Sequence, residues 1–342
     1  MKLYEYVIRR LILLVFVLFA VSILVFYLTR GFPRGIAPWA PYIHPKMTAE
    51  QIEAVIKAHG FDRPIYEQYF YWLRDILSGD WGLTGTWAQG KPANEVFFNH
   101  FPYTVELSVF GTLITVCIGI PLGIISAIKN NKLPDHISRI IALAGYSTPS
   151  YWFGFMLQLI FFYYFSLWGL PHLPSSGASA LGKPNITGLP LLDGLLSGNF
   201  AYAWDEFIHL ILPSFSLAFI SLGFLARIVR ASMLEVLRQD YIVMARSKGL
   251  KERVVIYRHA LKNALIPAVT LTGIFFASLL GGAMITEYVF SWPGVGQQAL
   301  RAIFQGDSNF ILIYSLVFAT IIVLANLVVD VLYAFLDPRI RY

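Results

Sequence analysis

Gly177-Ala-Ser-Ala-Leu-Gly182-Lys183 has the glycine and lysine spacing of a phosphate-cradling loop. The next residue, however, is Pro184, where such a loop needs Ser or Thr to hold magnesium, and proline brings no N–H to the cradle. The stretch therefore reads as a Gly/Ser/Pro-rich loop, with Asn185-Ile-Thr187 inside it as a bare glycosylation sequon. The histidines at 44, 59, 100, 136, 172, 209 and 259 form no pair at metal-ligand spacing, and a single cysteine, Cys117, excludes thiolate zinc and disulfides. Neither a Gly-x-Ser-x-Gly elbow nor a His-Glu-x-x-His helix occurs. No catalytic residue, resident metal or cofactor is expected, and the chain does not read as an enzyme. Asp330, with Asn326 one turn earlier, lies in an apolar run and is a functional candidate by default, close enough to a basic flank to pair with arginine. Glu106, near the mouth of another run, is expected to be solvated. No series of acids and histidines crosses the apolar runs, which disfavours a proton-coupled secondary transporter. Uphill movement of a solute would have to draw its energy from a partner.

The elements that must position these residues are apolar. Of 342 residues, 57% are hydrophobic and 13% charged, and the mean hydropathy is +0.62. Soluble domains carry about 25% charge, and 16% aromatic content is too high for a disordered chain. The net charge of +6 is small beside the long apolar runs, so lipid, not nucleic acid, is the expected surroundings. About 20 residues cross the hydrocarbon as a helix. Six runs qualify, at roughly 11–29, 104–128, 138–168, 207–229, 264–286 and 311–335. The first follows Arg9 and Arg10 like a signal peptide, but it is too long and no small-x-small site follows it, so it reads as a retained anchor.

Basic residues orient the runs. Segments 1–10 and 129–139 each carry three basic residues against one acid. Segment 227–262 carries nine against three, and the tail carries Arg339 and Arg341 against Asp337. The intervening segments 30–100, 169–206 and 287–310 are neutral or acidic. With six spans, every basic segment lies on one face, which places both termini in the cytoplasm. Gly119, Pro121 and Gly123, then Pro149, Gly281 and Gly282, are the small or breaking residues expected to pack and bend the spans. The segment between the first two runs contains amphipathic helical stretches at 49–59 and 65–77 and is too long for a plain connector.

The most informative stretch is 227–262. Residues 231–248 are helix-forming, Lys248 and Gly249 form a stop, and Lys251–Leu265 restarts the pattern. This gives a helix, a hard turn and a helix returning to the membrane.

Leu237-Arg-Gln-Asp240-Tyr-Ile-Val-Met-Ala245-Arg246-Ser-Lys248-Gly249-Leu250, followed by His259-Ala-Leu-Lys-Asn263-Ala, closely resembles the cytoplasmic loop of binding-protein-dependent ABC importer permeases. The likeness is to the dipeptide/oligopeptide/nickel group. Further matches run along nearly the whole chain: Ile8-Arg-Arg10, Gly60-Phe-Asp-Arg-Pro64, Ser78-Gly-Asp-Trp-Gly82, Tyr146-Ser-Thr-Pro149, Phe290-Ser-Trp-Pro-Gly294-Val-Gly296 and Asn326-Leu-Val-Val-Asp330. The chain departs from the broad permease pattern at Val243 and Met244, and again at Gly31-Phe-Pro33-Arg34.

The resemblance implies an all-α integral membrane protein of the type I ABC importer permease fold. Residues 1–29 would form the first span, 30–103 a structured extracytoplasmic region, and 104–342 a permease core with a coupling segment at 231–262. It implies a second homologous permease subunit, two ATPase subunits that hold the ATP and magnesium, and an external solute-binding protein. ATPase coupling would fall to Asp240, Ala245, Arg246, Lys248, Gly249, Leu250, His259 and Asn263, with Arg246, Lys248 and Arg253 facing acids of the partner. Peptides are the expected cargo, with oligosaccharides or nickel as alternatives carried by the same architecture.

Overall fold

The computed structural model describes residues 3–31, 37–44, 46–88 and 90–336. Among them the only extended pairing is an isolated bridge between Leu83 and Pro92. The helices in chain order are α1 (Leu3–Gly31), α2 (Ala49–Ala58), α3 (Ile65–Ser78), α4 (Ala93–Ile128), α5 (Leu133–Ser147), α6 (Ser150–Gln158) and α7 (Phe165–Leu167). They continue as α8 (Pro190–Leu196), α9 (Phe200–Val236), α10 (Asp240–Ser247), α11 (Glu252–Val254), α12 (Leu261–Ala264), α13 (Ile266–Leu280), α14 (Met284–Val289), α15 (Val295–Gln305) and α16 (Ser308–Leu336). Single π-helical stretches at 159–164 and 255–260 join α6 to α7 and α11 to α12.

Four of these helices are long and apolar enough to cross a membrane: α1, α4, α9 and α16. The stretch Glu252–Ala264 with α13 passes the same test as a pair bent by 49°, which makes a fifth crossing if the pair is one span. The sequence leads one to expect six. The difference lies at 138–168, where the run is divided into α5 and α6 at Thr148-Pro149. Proline has no N–H to continue the ladder and forces the residue before it out of the helical region. Thr148 is extended, with φ −89° and ψ 125°. The expected stretches at 49–59 and 65–77 are α2 and α3. Thr48 caps α2 in a reciprocal capping box with Gln51.

The centre of the molecule is the long contact of α4 with α9, flanked by α5, α6 and α8 on α9 and by α13, which also touches α16. Lipid is as apolar as leucine, so helices in it associate by close approach and not by hiding apolar surface. Gly119 and Gly123 of α4 provide that approach. A Cβ at Gly123 would stand 2.7 Å from the Ala226 carbonyl oxygen and 2.6 Å from Val229 Cβ, and one at Gly119 would stand 3.2 Å from the Leu222 carbonyl oxygen. Pro121 lies inside α4 and is exposed. The α5–α9 contact is tighter still, since Cβ atoms at Gly145 and Gly223 would each lie 2.5 Å from a backbone oxygen of the facing helix. Gly281, at the end of α13, lies under the Phe318 ring of α16, while Gly282 follows it against Gly296.

Gly223→Leu should therefore separate α5 from α9 at a cost of roughly 1–3 kcal/mol or more. A melting temperature in detergent well below that of wild type checks this, with the exposed Cys117→Ala as an unaffected control.

Candidate functional site

α9 ends at Val236, and Gln239 is extended (φ −71°, ψ 147°), so the chain turns before α10 begins. The short helix is thus 240–247 and not the single 231–248 helix that the sequence pattern suggests. Three residues of turn, with Asp240 in the first turn of the new helix, separate the end of α9 from α10. Ile242 and Ala245, three residues apart on one face, are the buried side chains of α10. They join Val229 and Met233 of α9 and Val255, Ile256 and Ala260 in one core cluster. The other apolar side chains here, Tyr241, Val243, Met244 and Leu250, are exposed, with Met244 at 58%.

Gly249 has φ +74°, and its N–H donates to the Arg246 carbonyl at 2.9 Å. No atom lies within 4 Å of where its Cβ would be. The demand for glycine is therefore one of backbone dihedral, not of space. Arg246 reaches across this turn to Glu252 through Nε (3.1 Å) and Nη2 (2.7 Å). The pair holds the Glu252 carboxyl below its ordinary range and raises the arginine, the hydrogen bond being the main cause. Arg246, expected to face acids of a partner, is paired within the chain with Glu252. Exposed pairs of this kind contribute about 0–1 kcal/mol, enough to close the turn but not to hold the fold. Asn263 Nδ2 donates to the Tyr241 hydroxyl at 2.8 Å and staples α12 to α10. His259 is half-buried in the π-helical stretch, whereas Asp240, Lys248 and Leu250 are exposed. The sequence reading missed Glu252 and Tyr241, although an acid six residues after Arg246 across a glycine turn was a readable signal.

Beside this unit, Asp135 is wholly buried and receives Arg230 through Nε (2.8 Å) and Nη2 (2.9 Å). It also accepts from Ser126 Oγ and from the Asn131 N–H at 2.9 Å. One carboxylate so ties together α4, α5 and α9. The Arg230 hydrogen bond, foremost among several, holds its carboxyl well below the usual range. A cavity of about 650 Å³ adjoins the pair, lined by Arg139 and Arg227 among apolar residues of α5 and α9.

At the other end of the spans the fasteners are acids that accept backbone N–H groups. Glu106 is buried, not solvated as expected, and takes the Leu191 N–H at 2.7 Å. Glu206 takes the Ser179 N–H at 2.7 Å, and Asp307 takes the Gly85 N–H at 2.6 Å and the Trp87 indole at 2.7 Å. Glu287 is fully buried between the Thr104 hydroxyl (3.0 Å) and the Gln297 N–H (2.8 Å), with Gly294 and Gly296 pressed against it. Burial pushes its carboxyl up to about 7 against those hydrogen bonds. Trp292, also fully buried, donates to the Tyr103 carbonyl at 3.0 Å. The Phe290–Gly296 motif is thus a clamp on the end of α4. Asn326 is exposed on α16; the Asp330 side chain lies outside the described residues. No group of three or more potential metal ligands occurs among the described residues.

Residues 119–342 match the family model of the binding-protein-dependent transport system inner membrane component, and residues 3–108 match the model of the N-terminal part of such membrane components. A dipeptide transport system permease protein of Alkalihalophilus pseudofirmus is 40% identical over 98% of this chain and 99% of its own length. A di/tripeptide transport system permease protein of Pseudomonas aeruginosa is 38% identical over 99% of both chains. An oligopeptide transport system permease protein of Bacillus subtilis is 33% identical over 98% of this chain and 99% of its own. These relatives are transport permeases and not enzymes.

Asp135→Asn should destabilise the protein by about 3–5 kcal/mol, because it leaves Arg230 without its charge partner, while Asp135→Leu with Arg230→Met should recover much of that loss. Melting curves of the three proteins check this. The sign with pH follows from the lowered carboxyl: its contribution is complete above about pH 4 and is lost as pH falls through the folded value. Glu287 has the opposite sign. Its carboxyl titrates near 7 when folded against an ordinary 4.5, so folding takes up a proton between these values and stability should fall as pH rises through that window. Glu287→Gln should lack this fall, as read from melting temperatures across the range.

Proposed function

We propose that this chain, which belongs to the binding-protein-dependent transport system inner membrane component family, is the permease subunit of an ATP-driven importer of di- or oligopeptides. It forms half of the translocation pathway and pairs with a second, homologous permease. Two ATPase subunits bind the ATP and magnesium, and an external solute-binding protein delivers the cargo. The chain is a multi-pass protein of the cell membrane. In this reading α5 to α7 make the sixth crossing as a broken span. The basic end, with α10, Asp135 and Arg230, faces the cytoplasm together with both termini, and residues 30–103 stand outside and cap the outer mouth. The names of the curated relatives, which are dipeptide, di/tripeptide and oligopeptide permeases, support the choice of cargo.

The observation that carries the mechanism is the divided surface of α10. Ile242 and Ala245 are locked into the chain's own core, while Tyr241, Val243 and Met244 of the helix, and Leu250 just past the Gly249 turn, are left exposed. An exposed apolar set on a short helix beside a polar turn is suited to a groove on another protein. α10 seats in an ATPase subunit, and closure of the ATPase pair moves it. The shared cluster passes that displacement to α9 and the bent α12–α13 segment, and the Asp135–Arg230 tie passes it to α4 and α5 as rigid-body rocking. A secondary transporter is disfavoured because the buried acids of α4 and α9 each accept a backbone N–H of one connecting segment, 179–191. They are fasteners at one end and not steps of an ion path.

Gly249→Val puts a β-branched residue in the left-handed region, at a cost of about 1–2 kcal/mol at the turn. It should lower peptide uptake tenfold or more while insertion into the membrane is unchanged. Uptake equal to wild type would sink the coupling role. Isolation of the tagged chain should bring two ATPase subunits with it, and their absence would favour a self-contained transporter.

A further inference from the structure

Where α1 ends, a pocket of about 370 Å³ opens between its last turn, the α2–α3 pair and the first turn of α16. No group assigned above uses it. Arg30, the last residue of the apolar stretch that begins at Ile8, lines the pocket. Its guanidinium lies 5.5 Å from the Phe26 ring and 5.1 Å from that of Phe61. Its Nε is shut off from solvent and has no hydrogen-bond partner among the described residues. The adjoining stretch Gly31-Phe-Pro-Arg-Gly-Ile36 contains no acid that would serve as a counter-ion. The other arginines of the pocket are committed elsewhere. Arg63 donates to the Tyr71 hydroxyl and stands 3.6 Å from Glu67, and Arg74 pairs with Asp75 at 2.8 Å. Asp80 accepts the Gly82 N–H at 2.9 Å. Arg30 is half-buried overall, and the pocket also holds the carboxylates of Asp75 and Asp80, but an enclosed Nε with no partner is costly and aromatic faces compensate only in part.

We propose that the pocket holds the phosphate of an anionic phospholipid from the leaflet in which α1 ends. The inference rests on α1 being a membrane span, and it reaches beyond the transport reading because the pocket involves neither α10 nor its supports. Leu24 and Leu28 of α1 are exposed, so a lipid lying along this helix brings its headgroup to the level of Arg30 without leaving the leaflet. Tyr42, Trp72 and Trp81 line the same pocket, at the depth where amphipathic rings collect in membranes. The forked donors of arginine match a phosphate in shape and charge. A lipid held here fastens the α2–α3 pair to the membrane surface.

The test uses the full-length chain with its co-purifying subunits, stripped of lipid in detergent and offered phosphatidylglycerol, phosphatidylcholine or inorganic phosphate. Retained molecules are counted by native mass spectrometry. Phosphatidylglycerol should be retained over phosphatidylcholine, and Arg30→Gln should lower that retention about tenfold, in line with the loss of a charge-assisted hydrogen bond. The exposed Lys57→Gln should leave it unchanged. Equal retention of both lipids, unchanged retention in Arg30→Gln, or full displacement by inorganic phosphate would each overturn the proposal, the last assigning the site to a free anion. Should Arg30→Gln fail to fold, a photoreactive phosphatidylglycerol on the wild-type protein decides the matter. Adducts within 58–63 or 71–82 support the site, and adducts only elsewhere reject it. Peptide uptake, measured separately, reports on the transport reading and not on this one.

Discussion

Two helices in hydrocarbon gain nothing by burying leucine against each other, since the surrounding lipid is equally apolar. What remains is contact at short range, and a side chain at Gly123, Gly145 or Gly223 would abolish it by meeting a carbonyl oxygen of the neighbouring helix at 2.5–2.7 Å. The placement of α4, α5 and α9 follows from these three positions. Everything with a functional reading hangs from that trio: the Asp135–Arg230 tie lies across its basic end, α10 follows the end of α9, and the Glu287 clamp grips the opposite end of α4. Loosening the helix trio would move all of these parts together, so in the proposed transport cycle the packing that makes the structure stable would also transmit a displacement.

The two ends are fastened by different chemistry. At the basic end, a buried carboxylate is matched by a guanidinium, and the pair is worth keeping only because further donors complete it. At the other end, Glu106, Glu206, Asp193 and Asp307 each gather backbone N–H groups of connecting segments. Glu106 and Glu206 take main-chain donors alone, which ask little of the side chains of the segment they hold, while Asp193 and Asp307 add the Thr187 hydroxyl and the Trp87 indole. Arg230, by contrast, donates to the side chains of Asp135 and Asn130, a fixed geometry that would suit an element moving without change of shape in the proposed transport cycle.

Much of the fold was legible. Apolar runs of about 20 residues mark α1, α4, α9 and α16, and periodicity marks α2 and α3. The differences between pattern and structure have physical causes. The run at 138–168 is continuous in hydropathy, but Pro149 breaks its ladder, and hydropathy does not register a missing N–H. The 231–248 pattern is helical throughout, yet the α9 direction is set by packing against α4 and cannot be followed by α10, whose Ile242 and Ala245 pack with Val255 and Ile256. Glu106 looks like a solvated residue because its partner, the Leu191 N–H, lies 85 positions along the chain. Asp135 and Arg230 lie 95 positions apart, so no local spacing marks them as partners. Helices are written in local periodicity and hydropathy, whereas pairings between distant segments leave no local signal.

The glycines separate into two kinds, and the difference bears on how the proposed stroke would be carried. At Gly123 or Gly223 the restriction is space, so the constraint belongs to two helices at once and is shared by the whole interface. At Gly249 the space is empty and the restriction is a dihedral of +74°. That constraint belongs to one residue and costs the rest of the chain nothing. A lever needs this combination, with a rigid seam that keeps its shape under load and a single sharp corner that sets the angle of the arm. The Arg246–Glu252 pair braces the corner from outside, where salt and solvent weaken it. The brace adjusts the turn, while the left-handed backbone at Gly249 defines it.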